Sequence, residues 1–310
     1  MISGTVYRST GSWYKVVAGK KTFNCRLQGK LRLKGVKSTS PVVVGDRVVI
    51  KPEDSSDNQE GIIIKVKSRD NYIVRKSVNL SKQTQIIASN IDHAFLLVTI
   101  DNPPTTYSFI DRFLVTTEAY KINSTLIFNK IDAYNQQTKS KLKEMIEVYE
   151  NVGYNCIKIS ALTRQNINKL NDLISNNVCL FSGHSGVGKS TLINALSPNL
   201  NLRTSSTSKY HQQGQHTTTF AEMFNLNNGA KLIDTPGIKG LGLVDMKKNE
   251  ISKYFPEFNK VQGKCRFNNC LHVNEPNCEV KNAVRLKLIS SYRYKSYLQL
   301  LKDDKIYRNS

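Results

Sequence analysis

Two short stretches decide the fold of this chain: GHSGVGKST, at Gly183–Thr191, and NKID, at Asn129–Asp132. The first fits the pattern GxxxxGK[ST], follows the apolar run VCLF and precedes the helix-like run STLINAL. That context is typical of a phosphate-binding loop, in which backbone N–H groups surround phosphate oxygens at the N-terminus of a helix. The sequence therefore predicts a P-loop nucleotide site.

The side chains of this loop have separate expected roles. Lys189 is expected to neutralise the outer phosphates, and Ser190 to supply an oxygen to Mg²⁺. The loop does not by itself select a base, so an ATPase or a small-molecule kinase is compatible with it at this step. The predicted phosphate-contacting residues are Gly183, His184, Ser185, Gly186, Val187, Gly188, Lys189, Ser190 and Thr191.

The NKID stretch selects guanine over adenine. Its aspartate can accept hydrogen bonds from the guanine N1–H and exocyclic amine, a donor pair that adenine does not present, and an unpaired polar group in a closed site is costly. NKID ends one strand-like run, and SAL ends the next, where GTPases place a second guanine-contacting loop. The predicted base-contacting residues are Asn129, Lys130, Asp132, Ser160, Ala161 and Leu162.

A third element, DTPG, follows the strand-like run KLI and begins at Asp234. Asp234 is expected to hold Mg²⁺, commonly through water, and the N–H of Gly237 to sense the γ-phosphate. Between the P-loop and DTPG lies GQHTTTF, whose threonines could complete the Mg²⁺ shell. Thr218 is the preferred ligand, with Thr217 and Thr219 as alternatives, so the predicted Mg²⁺ set is Ser190, Thr218 and Asp234. A plain polar turn is the alternative reading of GQHTTTF.

The residue that orients the attacking water is not evident from these motifs. Many GTPases place a glutamine just after the DxxG element, but this chain has Ile238 there. Since an apolar side chain cannot orient water, intrinsic hydrolysis is expected to be slow, and His216 in the threonine loop is the nearest candidate for a catalytic role. His184 is expected mainly to shape the P-loop.

In an ordinary GTPase the P-loop precedes the NKID element, whereas here it follows. If the domain is treated as a circle that starts at the P-loop, the order becomes P-loop, threonine loop, DTPG, NKID and SAL. That is the usual GTPase order, opened between DTPG and NKID. The sequence therefore predicts a circular permutation, which surface connections in a parallel sheet tolerate.

A cluster of soft ligands follows in CRFNNCLHVNEPNC. Its spacing, C-x4-C-x-H-x5-C, is suited to one structural Zn²⁺ with a closed tetrahedral set, rather than to disulfides or catalysis. The predicted zinc ligands are Cys265, Cys270, His272 and Cys278. The single cysteines Cys25, Cys156 and Cys179 lie in apolar or strand-like stretches and are expected to be small buried side chains.

The 310 residues carry a net charge of +21, which indicates a polyanionic partner. Residues 1–80 hold 16 basic and 6 acidic side chains, and residues 247–310 hold 14 and 6, so both ends are basic. A basic surface that serves only solubility is the alternative. No run approaches the roughly 18 apolar residues of a membrane span, and no secretory signal is evident, so a cytoplasmic protein is expected.

Three domains are predicted: an all-β OB-like barrel at 1–75, an α/β P-loop GTPase at 76–245 and a mainly α zinc-binding module at 246–310. Five short β-like runs in the first part favour the barrel, and basic residues between Arg26 and Lys37 would follow phosphates. Alternating strand-like and helix-like runs favour a mostly parallel sheet in the second. The stretch 281–304 is helix-like. Trp13 and the tyrosines Tyr292, Tyr294 and Tyr297 could stack on RNA or pack in a core; core packing is the preferred reading of the tyrosines.

Taken in order, NKID, SAL, GHSGVGKST, GQHTTT, DTPGIKGLGLVD and CRFNNCLHVNEPNC resemble the bacterial circularly permuted, ribosome small-subunit-dependent GTPase family over essentially all of the chain. The resemblance implies a protein that binds the small ribosomal subunit, its rRNA and guanine nucleotides, and acts late in maturation of that subunit with ribosome-stimulated GTP hydrolysis. A monomer is expected. One alternative is an RNA-binding scaffold or a translation-regulating GTPase for which GTP is mainly a conformational ligand. Another is a cytoplasmic signalling GTPase with a protein partner, which leaves the basic ends unexplained.

Overall fold

The computed structural model describes residues 1–29, 41–53, 59–76, 84–200, 221–234 and 246–302. Among these residues, no helix combines the length and apolarity that crossing a bilayer requires.

The N-terminal part is a closed five-stranded barrel. Its strands are β1 (Ile2–Ser9), β2 (Tyr14–Ala18), β3 (Lys21–Leu27), β4 (Arg47–Pro52) and β5 (Glu60–Val66). The order β1-β2-β3-β5-β4 closes because β1 also pairs with β4, while β3 and β5 run parallel. Alternate side chains, such as Val16, Phe23 and Cys25, fill the interior. The OB-like barrel is confirmed.

Trp13 does not belong to the barrel core. Its side chain is 39% exposed, and the guanidinium carbon of Arg26 lies 4.3 Å from the centroid of its ring. Tyr14, the next residue, points inward and is buried. The predicted basic loop that starts at Arg26 lies outside the described residues from position 30 onward.

A two-stranded hairpin, which the sequence did not predict, follows the barrel. Its strands are β6 (Tyr72–Lys76) and β7 (Thr84–Ser89), and the predicted boundary after residue 75 falls within β6. The buried carboxylate of Asp46 accepts hydrogen bonds from Arg69 Nε at 2.6 Å and from Ser89 Oγ at 2.7 Å. This carboxylate therefore fixes the hairpin against the barrel.

The central part contains a six-stranded sheet of order β10-β9-β8-β11-β13-β12. The strands are β8 (His93–Val98), β9 (Asn123–Phe128), β10 (Asn155–Lys158), β11 (Val178–Ser182), β12 (Glu222–Asn225) and β13 (Lys231–Asp234). All neighbours are parallel except β12 and β13. Apolar runs such as Phe95–Val98 are buried on both faces, as expected of parallel strands covered by helices. The α/β architecture is confirmed.

Four helices connect these strands: α1 (Tyr107–Ala119), α2 (Gln136–Glu150), α3 (Ile167–Ile174) and α4 (Lys189–Leu196). The first begins at Thr106, whose hydroxyl accepts from the N–H of Phe109, and the second at Asn135, whose side chain accepts from the N–H of Thr138. β12 also pairs antiparallel with β1 of the barrel, with Arg8 opposite Glu222. Barrel and α/β sheet are therefore hydrogen-bonded into one eleven-stranded sheet.

The C-terminal part is helical, with α5 (Lys248–Ile251), α6 (Pro256–Asn259), α7 (Glu279–Arg285) and α8 (Ser291–Lys302). The predicted helical stretch 281–304 is divided between α7 and α8. The break lies at residues 286–290, where Lys287 takes a left-handed conformation with φ 61°. A core around Phe255, Phe258 and Tyr297 holds these helices together.

Candidate nucleotide and metal sites

The P-loop joins the end of β11 to the start of α4. Gly188 precedes the first residue of α4 with φ 97°, a left-handed conformation that an L side chain rarely adopts. A Cβ atom at Gly188 would lie 2.5 Å from Asn129 Nδ2. Glycine is therefore required at this position both by the backbone and by the close approach of the NKID element.

Asn129 connects the P-loop to the base-reading segments. Its side chain is 1% exposed; Nδ2 donates to the carbonyl of Val187 at 2.8 Å, and Oδ1 accepts from the N–H of Ala161 at 2.9 Å. Parallel pairing places β9 and β11 on either side of β8, so the loops after the three strands meet at one edge. The structure therefore brings the NKID, SAL and P-loop segments into one cluster.

The other base-contacting candidates surround this cluster. Lys130 has φ 64°, and its ammonium donates to the carbonyl of Asn102 at 2.6 Å. Asp132 lies in a short 3₁₀ turn and is exposed to solvent. Ser160 is buried and accepts from the N–H of Thr163, whereas Leu162 is 76% exposed. Asp132 is therefore a solvent-exposed carboxylate that follows the hydrogen-bonded Asn129 and Lys130.

The phosphate-side candidates lie at the ends of adjacent strands. The ammonium of Lys189 donates to the carbonyls of Gly183 and His184, at 2.5 and 3.3 Å. Burial lowers the pKa of Lys189, and the nearby carboxylate of Asp234, on β13, opposes that shift. Ser190 follows Lys189 in the first turn of α4. The structure thus places a cation, a hydroxyl and a carboxylate at one edge of the sheet. The cation is suited to phosphate oxygens, and the two oxygen groups are suited to Mg²⁺.

Several predicted site residues lie outside the described residues. These are the threonine loop, with His216, Thr217, Thr218 and Thr219, and the segment with Gly237 and Ile238.

Sequence reasoning missed a contact of the P-loop histidine. His184 Nε2 lies 2.8 Å from the hydroxyl of Thr105, and its Nδ1 lies 3.1 Å from the carbonyl of Ser185. Because that carbonyl can only accept, a neutral His184 ring at this position donates from Nδ1 and accepts from Thr105 at Nε2. The same Thr105 oxygen accepts from the N–H of Thr99 at 3.1 Å. His184 and Thr105 are 79 residues apart, so no local pattern could have revealed the pair.

The four predicted zinc ligands converge. The ligand atoms of Cys265, Cys270, His272 and Cys278 all lie within 4.8 Å of one another. Cys265 Sγ is 4.0 Å from Cys278 Sγ, and His272 Nδ1 is 3.4 Å from Cys278 Sγ. A tetrahedral Zn²⁺ with Zn–S bonds of about 2.3 Å separates its sulfurs by about 3.8 Å. The chemistry and the spacing of this set fit zinc.

Two of the C-terminal tyrosines support the loop that carries the Cys/His cluster. Tyr294 Oη donates to the carbonyl of His272 at 2.7 Å, and Tyr297 Oη donates to the carbonyl of Leu271 at 2.6 Å. Tyr297 is fully buried, as expected for core packing, whereas Tyr292 is 38% exposed and stacks on Tyr107. The tyrosines therefore pack within the protein to different degrees.

Taken together, the strand order, the P-loop and the NKID segment bonded to it define a circularly permuted P-loop GTPase with an N-terminal barrel. The sequence model of the RsgA GTPase family matches residues 66–244, and that of the RsgA N-terminal domain matches residues 3–63. This chain belongs to the RsgA GTPase family, whose members are GTP-hydrolysing enzymes.

Relatives and solved structures agree with this assignment. The chain is 54% identical to the small ribosomal subunit biogenesis GTPase RsgA of Christiangramia forsetii, covering 98% of this chain and 96% of that protein. It is 56% identical to the protein of the same name from Flavobacterium johnsoniae, covering 98% and 94%. The crystal structure of YjeQ from Thermotoga maritima matches with a TM-score of 0.78 at 31% identity, covering 97% of each chain. YloQ, described as a circularly permuted GTPase, matches with a TM-score of 0.73 at 28% identity, covering 97% and 94%. The permutation is therefore confirmed.

Proposed function

We propose that this protein binds the small ribosomal subunit and its rRNA, acts late in the maturation of that subunit, and hydrolyses GTP with stimulation by the subunit. The observation that carries the proposal is the convergence on Asn129 of the base-reading and phosphate-reading segments. The printed name of the relatives supports the choice of partner. We expect the protein to act as a monomer in the cytoplasm.

In this proposal Asp132 pairs with the guanine edge while the stem of Lys130 covers the ring. Lys189 neutralises the outer phosphates, with its ammonium already held by P-loop carbonyls. Ser190, Asp234 and Thr218 would hold Mg²⁺, which would offset the negative charge that builds on the phosphates. The hydrogen bond from Asn129 Nδ2 to Val187 sets the P-loop relative to the base.

The water-activating residue in this proposal is His216, because Ile238 cannot orient water. Docking on the small subunit would bring the threonine loop into place, which would account for stimulation. In the C-terminal part, Cys265, Cys270, His272 and Cys278 would hold one Zn²⁺ that stabilises a segment with a small core.

The basic ends would contact rRNA. On the barrel, Arg8 of β1 lies opposite Lys15 of β2, and the exposed Trp13, which immediately precedes β2, lies beside the exposed Arg26 of β3. An exposed aromatic ring beside cations suits unpaired bases and phosphates. Salt should therefore weaken binding steeply, because each neutralised phosphate releases a counterion.

The test is GTP turnover by the purified protein with and without small ribosomal subunits. We expect the subunit to raise turnover well above the intrinsic rate, and large subunits, as the matched control, to have little effect. Equal turnover in all three reactions would refute the proposed function.

Base selection has its own test in Asp132→Asn. The amide can donate where the carboxylate could only accept, so preference should move from guanine toward xanthine nucleotides. Competition between GDP and XDP for the variant measures the change. Unchanged selectivity for GDP would remove Asp132 from this role.

A further inference from the structure

Helix α1 belongs to two hydrophobic cores at once. Ile110, Phe113 and Leu114 pack in the core of the GTPase domain, whereas Val115 and Ala119 pack in the core of the C-terminal part. α1 also packs against α8, the last described helix. A displacement of α1 must therefore move either one core or both.

The N-terminal end of α1 is tied to the P-loop by the preceding segment, Thr99–Thr106. Within this segment, the hydroxyl of Thr105 is hydrogen-bonded to His184 at 2.8 Å, and the ring of Pro103 lies against Gly186, where an added Cβ would meet it at 3.2 Å. The carbonyl of Asn102 accepts from Lys130 of the NKID element. The segment thus contacts both the phosphate side and the base side of the nucleotide site.

Farther along α1, Asp111 joins the helix to the C-terminal part through a group of buried charges. Arg293 of α8 is fully buried; its Nη1 is bonded to Asp111 of α1 at 2.5 Å, and its Nε to Glu257 of α6 at 2.7 Å. At the start of the same helices, the rings of Tyr107 and Tyr292 stack with centroids 4.3 Å apart and planes 7° apart. Parting α1 from α8 would leave the buried carboxylate of Asp111 without its cation, which is strongly unfavourable.

We propose that Thr99–Thr106 and α1 couple occupancy of the P-loop to the position of the zinc-binding C-terminal part, with the Thr105–His184 hydrogen bond as the connection at the nucleotide end. This inference rests on the proposed nucleotide site. It concerns how that site is coupled to the C-terminal part. The contacts involved are separate from the covalent connection between Asp234 and Met246.

The physical basis is a chain of contacts that resist independent movement. His184 is part of the predicted phosphate-binding loop, and in this proposal bound phosphate changes the position or mobility of its backbone. The Thr105 hydroxyl can keep its bond to His184 only if the start of α1 follows. Because α8 is locked to α1 through Arg293, it is carried along as a packed unit. Thr105 is therefore a positioning residue, since it acts through His184.

The test is hydrogen exchange of the α8 backbone in the full chain, without nucleotide and with saturating GDP. Saturation separates coupling from affinity, and calorimetry on the same samples measures GDP uptake. For the wild-type protein we expect GDP to slow exchange in α8 by about fivefold or more, the lower end of typical coupling between sites. Thr105→Val, which removes the hydroxyl at nearly constant volume, should reduce the slowing to less than about twofold.

Two further variants keep the test interpretable. Thr105→Ser retains both hydrogen bonds of the hydroxyl, the one to His184 and the one from the Thr99 N–H, and should restore the slowing. Tyr292→Leu removes the ring stack at a partly exposed site and should weaken the slowing without loss of GDP uptake. The proposal is overturned if GDP leaves α8 exchange unchanged in the wild type, or if Thr105→Val retains the full effect. Either result alongside normal GDP uptake would leave the proposed GTPase function standing.

Discussion

Asn129→Ala removes the side chain that connects the P-loop to the SAL segment. It leaves the carbonyl of Val187 and the N–H of Ala161 without their partner, and both residues are at least 95% buried. An unsatisfied buried polar group costs about 1–3 kcal/mol, so the two together cost about 2–6 kcal/mol. This cost is divided between folding and nucleotide binding, since bound nucleotide depends on the same geometry.

Calorimetric GDP binding and thermal unfolding of the nucleotide-free protein measure the two parts. If about 2 kcal/mol falls wholly on binding, the GDP dissociation constant rises roughly 30-fold. If it falls wholly on folding, the unfolding midpoint drops by roughly 4–8 °C. Asn151→Ala, at an exposed asparagine that ends α2, is the matched control and should change neither.

Asn129→Asp distinguishes the two hydrogen bonds. The carboxylate can still accept from Ala161, but its second oxygen faces the carbonyl of Val187, where the amide lay at 2.8 Å. We expect this variant to bind GDP at least as weakly as Asn129→Ala. If Asn129→Ala leaves the midpoint within about 1 °C and GDP affinity within about threefold, the inferred role of this side chain is wrong.

Three other changes test separate parts of the structure. Gly188→Ala should weaken GDP binding by about tenfold or more, because the added methyl group clashes with Asn129 and also strains the left-handed backbone. The control is Gly11→Ala, where φ is 91° and the surrounding space is open. It carries the backbone strain alone and should leave GDP binding unchanged. Arg293→Met should destabilise the protein by about 3–5 kcal/mol, measured by denaturant unfolding, because two buried carboxylates lose their cation. Lys295→Met, on the exposed side of α8, should have little effect. Equal losses of unfolding free energy in the two variants would contradict the role of Arg293. Burial lowers the pKa of His93, although Asp92 opposes the shift, so the folded state disfavours the protonated ring. The free energy of unfolding should therefore fall as pH drops below about 6.5. His93→Gln should flatten that dependence in unfolding experiments at several pH values.

The parts of the fold that the sequence predicted have local signals. Alternating or continuous apolar runs predicted the barrel strands and the parallel sheet, because burial on one or both faces dictates those patterns. The convergence of Cys265, Cys270, His272 and Cys278 was predictable because these four soft donors lie within fourteen residues. The hairpin β6–β7 was missed because its two short strands lie where the sequence pattern changes from the barrel to the α/β domain.

The contacts that the sequence did not reveal join distant segments through ordinary residue types. A threonine at position 105 gives no sign of its histidine partner, and an arginine within a helix that carries other charges is typical of a solvated face. Arg293 is instead fully buried between Asp111 and Glu257, which lie 182 and 36 residues earlier in the chain. Such pairs become apparent only when packing brings the helices together.

The circular permutation leaves the local chemistry of the nucleotide site unchanged because the site depends on which strands are neighbours, not on the order in which the chain visits them. β8 lies between β9 and β11, so the loops that follow these strands meet whichever is made first. What the permutation changes is the covalent continuation of β13, which now leads toward the zinc-binding part. Since that part also packs on α1 through Arg293, the same helix that begins beside His184 ends against the metal-binding module. The permutation therefore places the C-terminal part where both a covalent connection and a packed helix connect it to the candidate nucleotide site.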